Sequence, residues 1–176
     1  MPAASVSQNR SCVLGAPTPQ SYTWNFHQEA QDLLAAVDTD AWQVSYHADQ
    51  LAHFSAMIDW QEHADQLNAI RDAVNDMGGK LCRLEAIRRV SSPWERKAID
   101  EAAPLITEMA NEAEAAITFL NDNQNHLLNP TYHAYSEEMY QQSSKLNRQM
   151  SEFDDFGKVH QEDIRLEKSL GLINRS

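Results

Sequence analysis

Between Trp60 and Arg88 apolar side chains recur at Leu67, Ile70, Val74, Met77, Leu81 and Leu84, in alternating steps of three and four. Only an α-helix lines such residues up on one side, and this alternation is the seam of a helix packed lengthwise against other helices. Asp59 followed by Glu62 makes a capping-box start, and Arg88 and Arg89 fall where the negative end of the helix dipole favours cations. A helix with one oily edge needs neighbours to cover it, so the rest of the chain has to supply more helices.

It does. A first helix is expected from about Phe26 to about Ala56, with its seam at Phe26, Ala30, Leu33, Val37, Ala41, Val44, Ala48 and Leu51. Asp38, Thr39 and Asp40 are poor helix formers in its middle, and the reading there is one bent helix. The connection to the second helix is very short, which makes the two antiparallel. Gly78 and Gly79 cost the second helix about 1 kcal/mol each relative to alanine; close packing or a slight bend is the expected reason for them. Ser92-Pro93-Trp94-Glu95 combines a cap, a proline at the first helical position and a reciprocal glutamate. The third helix follows with Ile99, Ala102, Ile106, Ala110, Ala113, Ile117, Leu120 and Leu127, and Pro104 is expected to kink its first turns or delay its regular start. Asn129-Pro130 repeats the cap-then-proline device before a fourth helix carrying Tyr132, Tyr135, Met139, Leu146, Met150 and Phe153. Gly157 ends that helix, or a frayed continuation reaches Leu170 with Ile164 on one face.

The expected fold is therefore all-α: an antiparallel up-down-up-down four-helix bundle over residues 23–160. Residues 1–22, small and polar with Pro2, Pro17 and Pro19, read as a disordered or loosely docked arm, and residues 161–176 as a mobile or partly helical tail. Gly 5 and Pro 6 in 176 residues are too few for a turn-rich β-sandwich. A mean hydropathy of -0.58 suits helices with one apolar stripe and solvated outer faces. His47-Ala48-Asp49-Gln50-Leu51 recurs as His63-Ala64-Asp65-Gln66-Leu67, too short an echo for a repeat protein.

Lys+Arg 14 against Asp+Glu 26 gives a net charge of -12. Such a field repels a nucleic-acid backbone and an anionic membrane surface, so no nucleic-acid partner is expected. No apolar run is long enough to span a bilayer. Cys12 and Cys82 have no zinc spacing; two free thiols are the expectation, and a Cys12–Cys82 disulfide the alternative.

Candidate chemistry gathers at the end that holds the first-to-second and third-to-fourth junctions. His53, His63, His126 and His133 lie near it, and Asp49–His53, Asp59–His63 and Asp122–His126 are one helical turn apart or close to it. Imidazole with carboxylate suits zinc or a similar divalent transition metal, with His63, His126 and His133 as the first candidate ligands. Ordinary surface pairing and the capping duty of Asp59 are the competing explanation. No histidine follows a Glu by three residues, which excludes the di-iron carboxylate pattern, and C-x-x-C-H for covalent haem is absent. Met77, Met109, Met139 and Met150 sit where a core needs them. Gly78-Gly79-Lys80 lacks the strand, first glycine and Ser or Thr of a phosphate loop. No nucleophile has a base at helical contact spacing.

Lys80, Arg83, Arg88, Arg89, Arg96 and Lys97 cluster around the second-to-third turn. They are candidates for binding an acidic protein partner; charge complementarity within the bundle, towards Glu152, Asp154 and Asp155, is the simpler reading. Trp24, Trp42 and Trp60, eighteen residues apart, are expected to anchor the ends of the core.

The runs Trp60-Gln61-Glu62-His63-Ala64, Val74-Asn75-Asp76-Met77-Gly78, Lys80-Leu81-Cys82-Arg83-Leu84-Glu85 and Pro93-Trp94-Glu95 resemble a group of uncharacterised bacterial α-helical proteins. The resemblance covers mainly the second and third helices. It implies export, with the signal lying upstream of this start, and it brings no activity, cofactor or functional residue with it; without that leader the chain would be cytoplasmic. The functional expectation is a non-enzymatic interaction or structural module without a cofactor, with a metal-binding bundle as the alternative.

Overall fold

In the computed structural model, which describes residues 26–54 and 59–172, the apolar stripes close on one another as four helices. In chain order these are α1 (Phe26–His53), α2 (Trp60–Ile87), a single 3-10 turn (Arg88–Val90), α3 (Pro93–Asp122) and α4 (Pro130–Ser169). The described residues contain no strand. Each helix packs against two neighbours in cyclic order, α1 with α2 and α4, and α3 with α2 and α4.

Cross-links between side chains report the directions. His47 donates to Gln66 Oε1 at 2.6 Å, so the two copies of the sequence echo lie side by side on antiparallel α1 and α2. The Asn147 amide donates to Asp38 Oδ1 at 2.8 Å while Ser144 meets Ser45 at 3.0 Å, an opposite order along the two helices that makes α4 antiparallel to α1. Gln149 donates to Glu101 Oε2 at 3.2 Å and does the same for α3 and α4. Diagonally, the imidazole of His27 donates to Glu95 at 3.0 Å, tying together the starts of α1 and α3. The bundle is up-down-up-down.

Leu67, Ile70, Met77, Leu84, Ile99, Met109, Ile117, Leu120, Met139, Leu146 and Met150 are all essentially sealed from solvent. Burying each such side chain is worth about 1.5–3 kcal/mol. Alanines at 30, 41, 48, 98, 102, 113 and 116 fill the core positions between them and let the rods approach closely. Asp59, Ser92 and Asn129 cap α2, α3 and α4 through their side chains, and Ser92 and Glu95 complete the reciprocal capping box. Each cap satisfies amides that the first turn leaves without helical partners.

Several expectations need correction. α1 is one helix through Asp38, Thr39 and Asp40, as expected, but it ends at His53 and not near Ala56; the first junction, 55–58, lies outside the described residues, as do the arm and Trp24. α3 is regular from Pro93 onward with Pro104 inside it, so its start is not delayed, and Leu127 belongs to the connection after it. Trp42 is 58% exposed and anchors nothing in the core. Cys82 is disulfide-bonded rather than a free thiol; Cys12, the chain's only other cysteine, lies outside the described residues.

The glycines are the most instructive departure. Of the two outcomes expected at Gly157 the continuation holds, with the helix running on to Ser169, but for an unforeseen reason: Gly157 is buried under Trp94, whose Cη2 stands 2.9 Å from where a β-carbon would be. A β-carbon at Gly78 or Gly79 would meet nothing within 4 Å, so close packing does not explain that pair. The double substitution Gly78→Ala/Gly79→Ala should therefore raise unfolding stability by roughly 1–2 kcal/mol. Gly157→Ala should lower it. Urea midpoints at constant m-value check both, and a destabilised double variant would mean the two glycines are needed for the shape of α2.

Candidate functional site

The junction end of the bundle opens into a cavity of about 680 Å³, and His63, His126 and His133 all line it. Phe54, Trp60 and Tyr132 supply aromatic wall. His63 is carried inward because it precedes the seam residue Leu67 by one turn, and it is buried at 4% exposure. Its Nδ1 lies 3.2 Å from the Tyr132 hydroxyl, and the Phe54 ring meets its edge at 4.9 Å. Tyr132 in turn stacks on Phe119 at 5.4 Å.

The electrostatics follow from that enclosure. Burial disfavours the imidazolium and lowers the His63 pKa below its ordinary 6.5, against a smaller opposing pull from Asp59. Burial also pushes the Tyr132 phenol well above its usual range. A protonated Tyr132 can donate to the neutral Nδ1, which leaves the His63 hydrogen on Nε2.

The three histidines share a cavity without forming a ligand set. The Nε2–H of His133 donates to the Ala52 carbonyl at 3.2 Å, and the side chain of His126 is exposed. Asp59 Oδ1 accepts the Glu62 amide at 3.1 Å as the α2 cap. Among the described residues no three His, Cys, Asp or Glu side chains come together as a metal ion would require. His53 points outward and bonds its own turn, through Asp49. Ser136 also lines the cavity, but its hydroxyl donates to the His133 carbonyl and not to an imidazole.

The basic residues of the second-to-third turn meet acids inside the bundle, although not those expected. Lys80 bonds Asp40 at 2.5 Å and Asp76 at 2.6 Å, and Arg83 forks onto Glu29. Arg88 holds both oxygens of Asp100 at 2.7 Å, and Lys97 lies 3.7 Å from Glu101. Arg96 donates to the Ser91 carbonyl at 2.6 Å. Arg89 is exposed, with no ion pair among the described residues. Asp154 and Asp155 pair instead with Lys158 on their own helix. Asp40 is the most enclosed of the acids that meet this basic cluster: burial raises its pKa above the ordinary 3.8, and the hydrogen bond from Lys80 offsets this only in part.

One surface escaped the sequence reading. On the C-terminal part of α4 and at its C-cap residue Leu170, the side chains Phe156, Val159, Leu166 and Leu170 are 52%, 63%, 45% and 70% exposed. With Asp163 they recur in steps of three, four, three and four, a second seam lying on the side away from the core residues Leu146, Met150 and Gly157. The signal was in the sequence, but it is readable only if the helix is carried past Gly157.

The fold and these sites define an acidic, all-α four-helix bundle with an end cavity and an outward apolar seam. No helix among the described residues is long and apolar enough to cross a membrane. Comparison of the chain with protein-family models, curated proteins and solved structures gave no match.

Two predictions follow from the ionisable groups. The unfolded chain takes up a proton at His63 near pH 6.5, the folded chain only below that. The stability His63 contributes as a neutral group is therefore complete above 6.5 and is lost as pH falls through its lower folded value. Denaturant titrations across this window should show a smaller pH slope in His63→Phe than in the parent. Lys80→Met leaves Asp40 enclosed without its cation and should cost roughly 1–3 kcal/mol; Asp40→Asn in the same background should recover part of that loss in thermal melts.

Proposed function

We propose that this chain is a non-enzymatic interaction module that engages another protein through the outward seam of α4, and that it works outside the reducing cytosol. The observation that carries the reading is the run of exposed apolar side chains at Phe156, Val159 and Leu166 on a helix of 40 residues, against 28, 28 and 30 in its neighbours, continued by Leu170 at its C-cap. A solvated helix face has no need of four large apolar residues in heptad register, whereas a face that meets a second helix does. The basic turn is the weaker candidate for a contact surface, because five of its six cations are already engaged within the chain. The disulfide at Cys82 supports an oxidising compartment, as does the resemblance of α2 and α3 to exported helical proteins.

A photo-crosslinking side chain at position 159, compared with one at the exposed Asn75 of α2, tests the reading in the cells that make the protein. An adduct with one discrete protein is expected from position 159 alone, and Leu166→Glu should abolish it without lowering the melting temperature. Equal labelling from both positions, or a large loss of stability in Leu166→Glu, would count against it. Thiol alkylation of the purified chain should find Cys82 blocked until reductant is added.

A further inference from the structure

Resting on that reading, we infer that the partner of the α4 seam is an amphipathic helix with basic flanks. Heptad register selects the geometry: a stripe that repeats every seven residues stays in contact only with another helix winding along it. Charge selects the chemistry. Side chains bordering the stripe are Asp155, His160, Glu162 and Glu167, with Asp163 on the stripe itself. All five are exposed. The cations of this segment, Lys158, Arg165 and Lys168, project from other sides of the helix, where Lys158 pairs with Asp154 and reaches the edge residue Asp155 at 4.0 Å, and Arg165 pairs with the edge residue Glu162. Glu167 and Asp163 have no such pair among the described residues. The seam is thus apolar along its middle, acidic at its edges and backed by its own positive charge.

A second copy of the chain fits this surface poorly. Two such seams would set acidic edge against acidic edge on molecules that each carry a net charge of -12. Placed opposite Asp163, a lysine or arginine of the partner would replace water around a carboxylate that another apolar residue would leave stranded. Basic residues at the partner's edge positions would complete the interhelical pairs that set partner choice in coiled coils.

The test uses the full chain and two designed helical peptides with identical heptad leucines, one flanked by lysines and one by glutamates, followed by fluorescence anisotropy. The lysine-flanked peptide should bind about tenfold more tightly or better, from several weak exposed pairs acting together, and the preference should shrink as salt rises. Val159→Glu/Leu166→Glu should abolish binding. Glu162→Lys/Glu167→Lys, which leaves every apolar residue in place, should reverse the preference. Equal affinity for both peptides, lost in Val159→Glu/Leu166→Glu, overturns the basic partner while leaving the seam as a contact surface. Binding of neither overturns the inference, whatever the crosslink from position 159 shows. Self-association in sedimentation equilibrium that disappears in Leu166→Glu overturns it in favour of a second copy.

Discussion

Every rod in this protein has one face that water rejects, and the fold is the arrangement in which four such faces cover each other at once. Short connections leave little choice of direction, so chain order becomes spatial order and each helix runs against the one before it. Polar links such as His47–Gln66 and Asn147–Asp38 follow from that packing more than they cause it. Each is worth about 1 kcal/mol, while a single sealed leucine or methionine contributes more. They matter for register: sliding one helix by a turn would part Lys80 from Asp40 and leave a carboxylate enclosed without its cation.

The caps show how local chemistry was made to agree with that packing. Ser92 and Glu95 satisfy the first amides of α3 reciprocally, and the same buried Glu95 accepts the His27 imidazole from the start of α1. One carboxylate thus terminates a helix and pins the diagonal of the bundle. At the opposite end the enclosed aromatic cluster of Phe54, His63, Tyr132 and Phe119 does comparable work, since the Tyr132 hydroxyl needs His63 and the ring faces need each other.

What could be read from the sequence was whatever repeats locally. The seams of α2 and α3, the capping box and the inward place of His63 were legible because helical spacing alone sets which residues share a face. Long-range facts were not. Nothing near Gly157 in the chain announces that Trp94 will lie over it, so the glycine leaves a stop and a continuation both open where the structure has a clearance. Clustered cations leave pairing within the bundle and a docking patch both open, and the acids that meet them, Asp40, Glu29 and Asp100, lie too far off in sequence to be named from it. Trp42 shows the converse error: regular spacing of tryptophans says nothing about burial when the helix turns that residue to water.

The same glycine decides how the outward seam can exist. If α4 ended at Gly157, Val159, Leu166 and Leu170 would lie in a tail with no fixed face. Because Trp94 seats on the bare backbone there, the helix stays pressed to the bundle, and Gln161 still reaches Gln31 one turn later. A helix anchored on one side keeps its other side in register, and register turns scattered apolar residues into a surface. The core-facing stripe and the outward stripe of α4 are therefore coupled through one missing side chain. A β-carbon at position 157 that pushed the helix away from Trp94 would disturb both faces together, since Phe156 of the outward seam also meets the Trp94 ring.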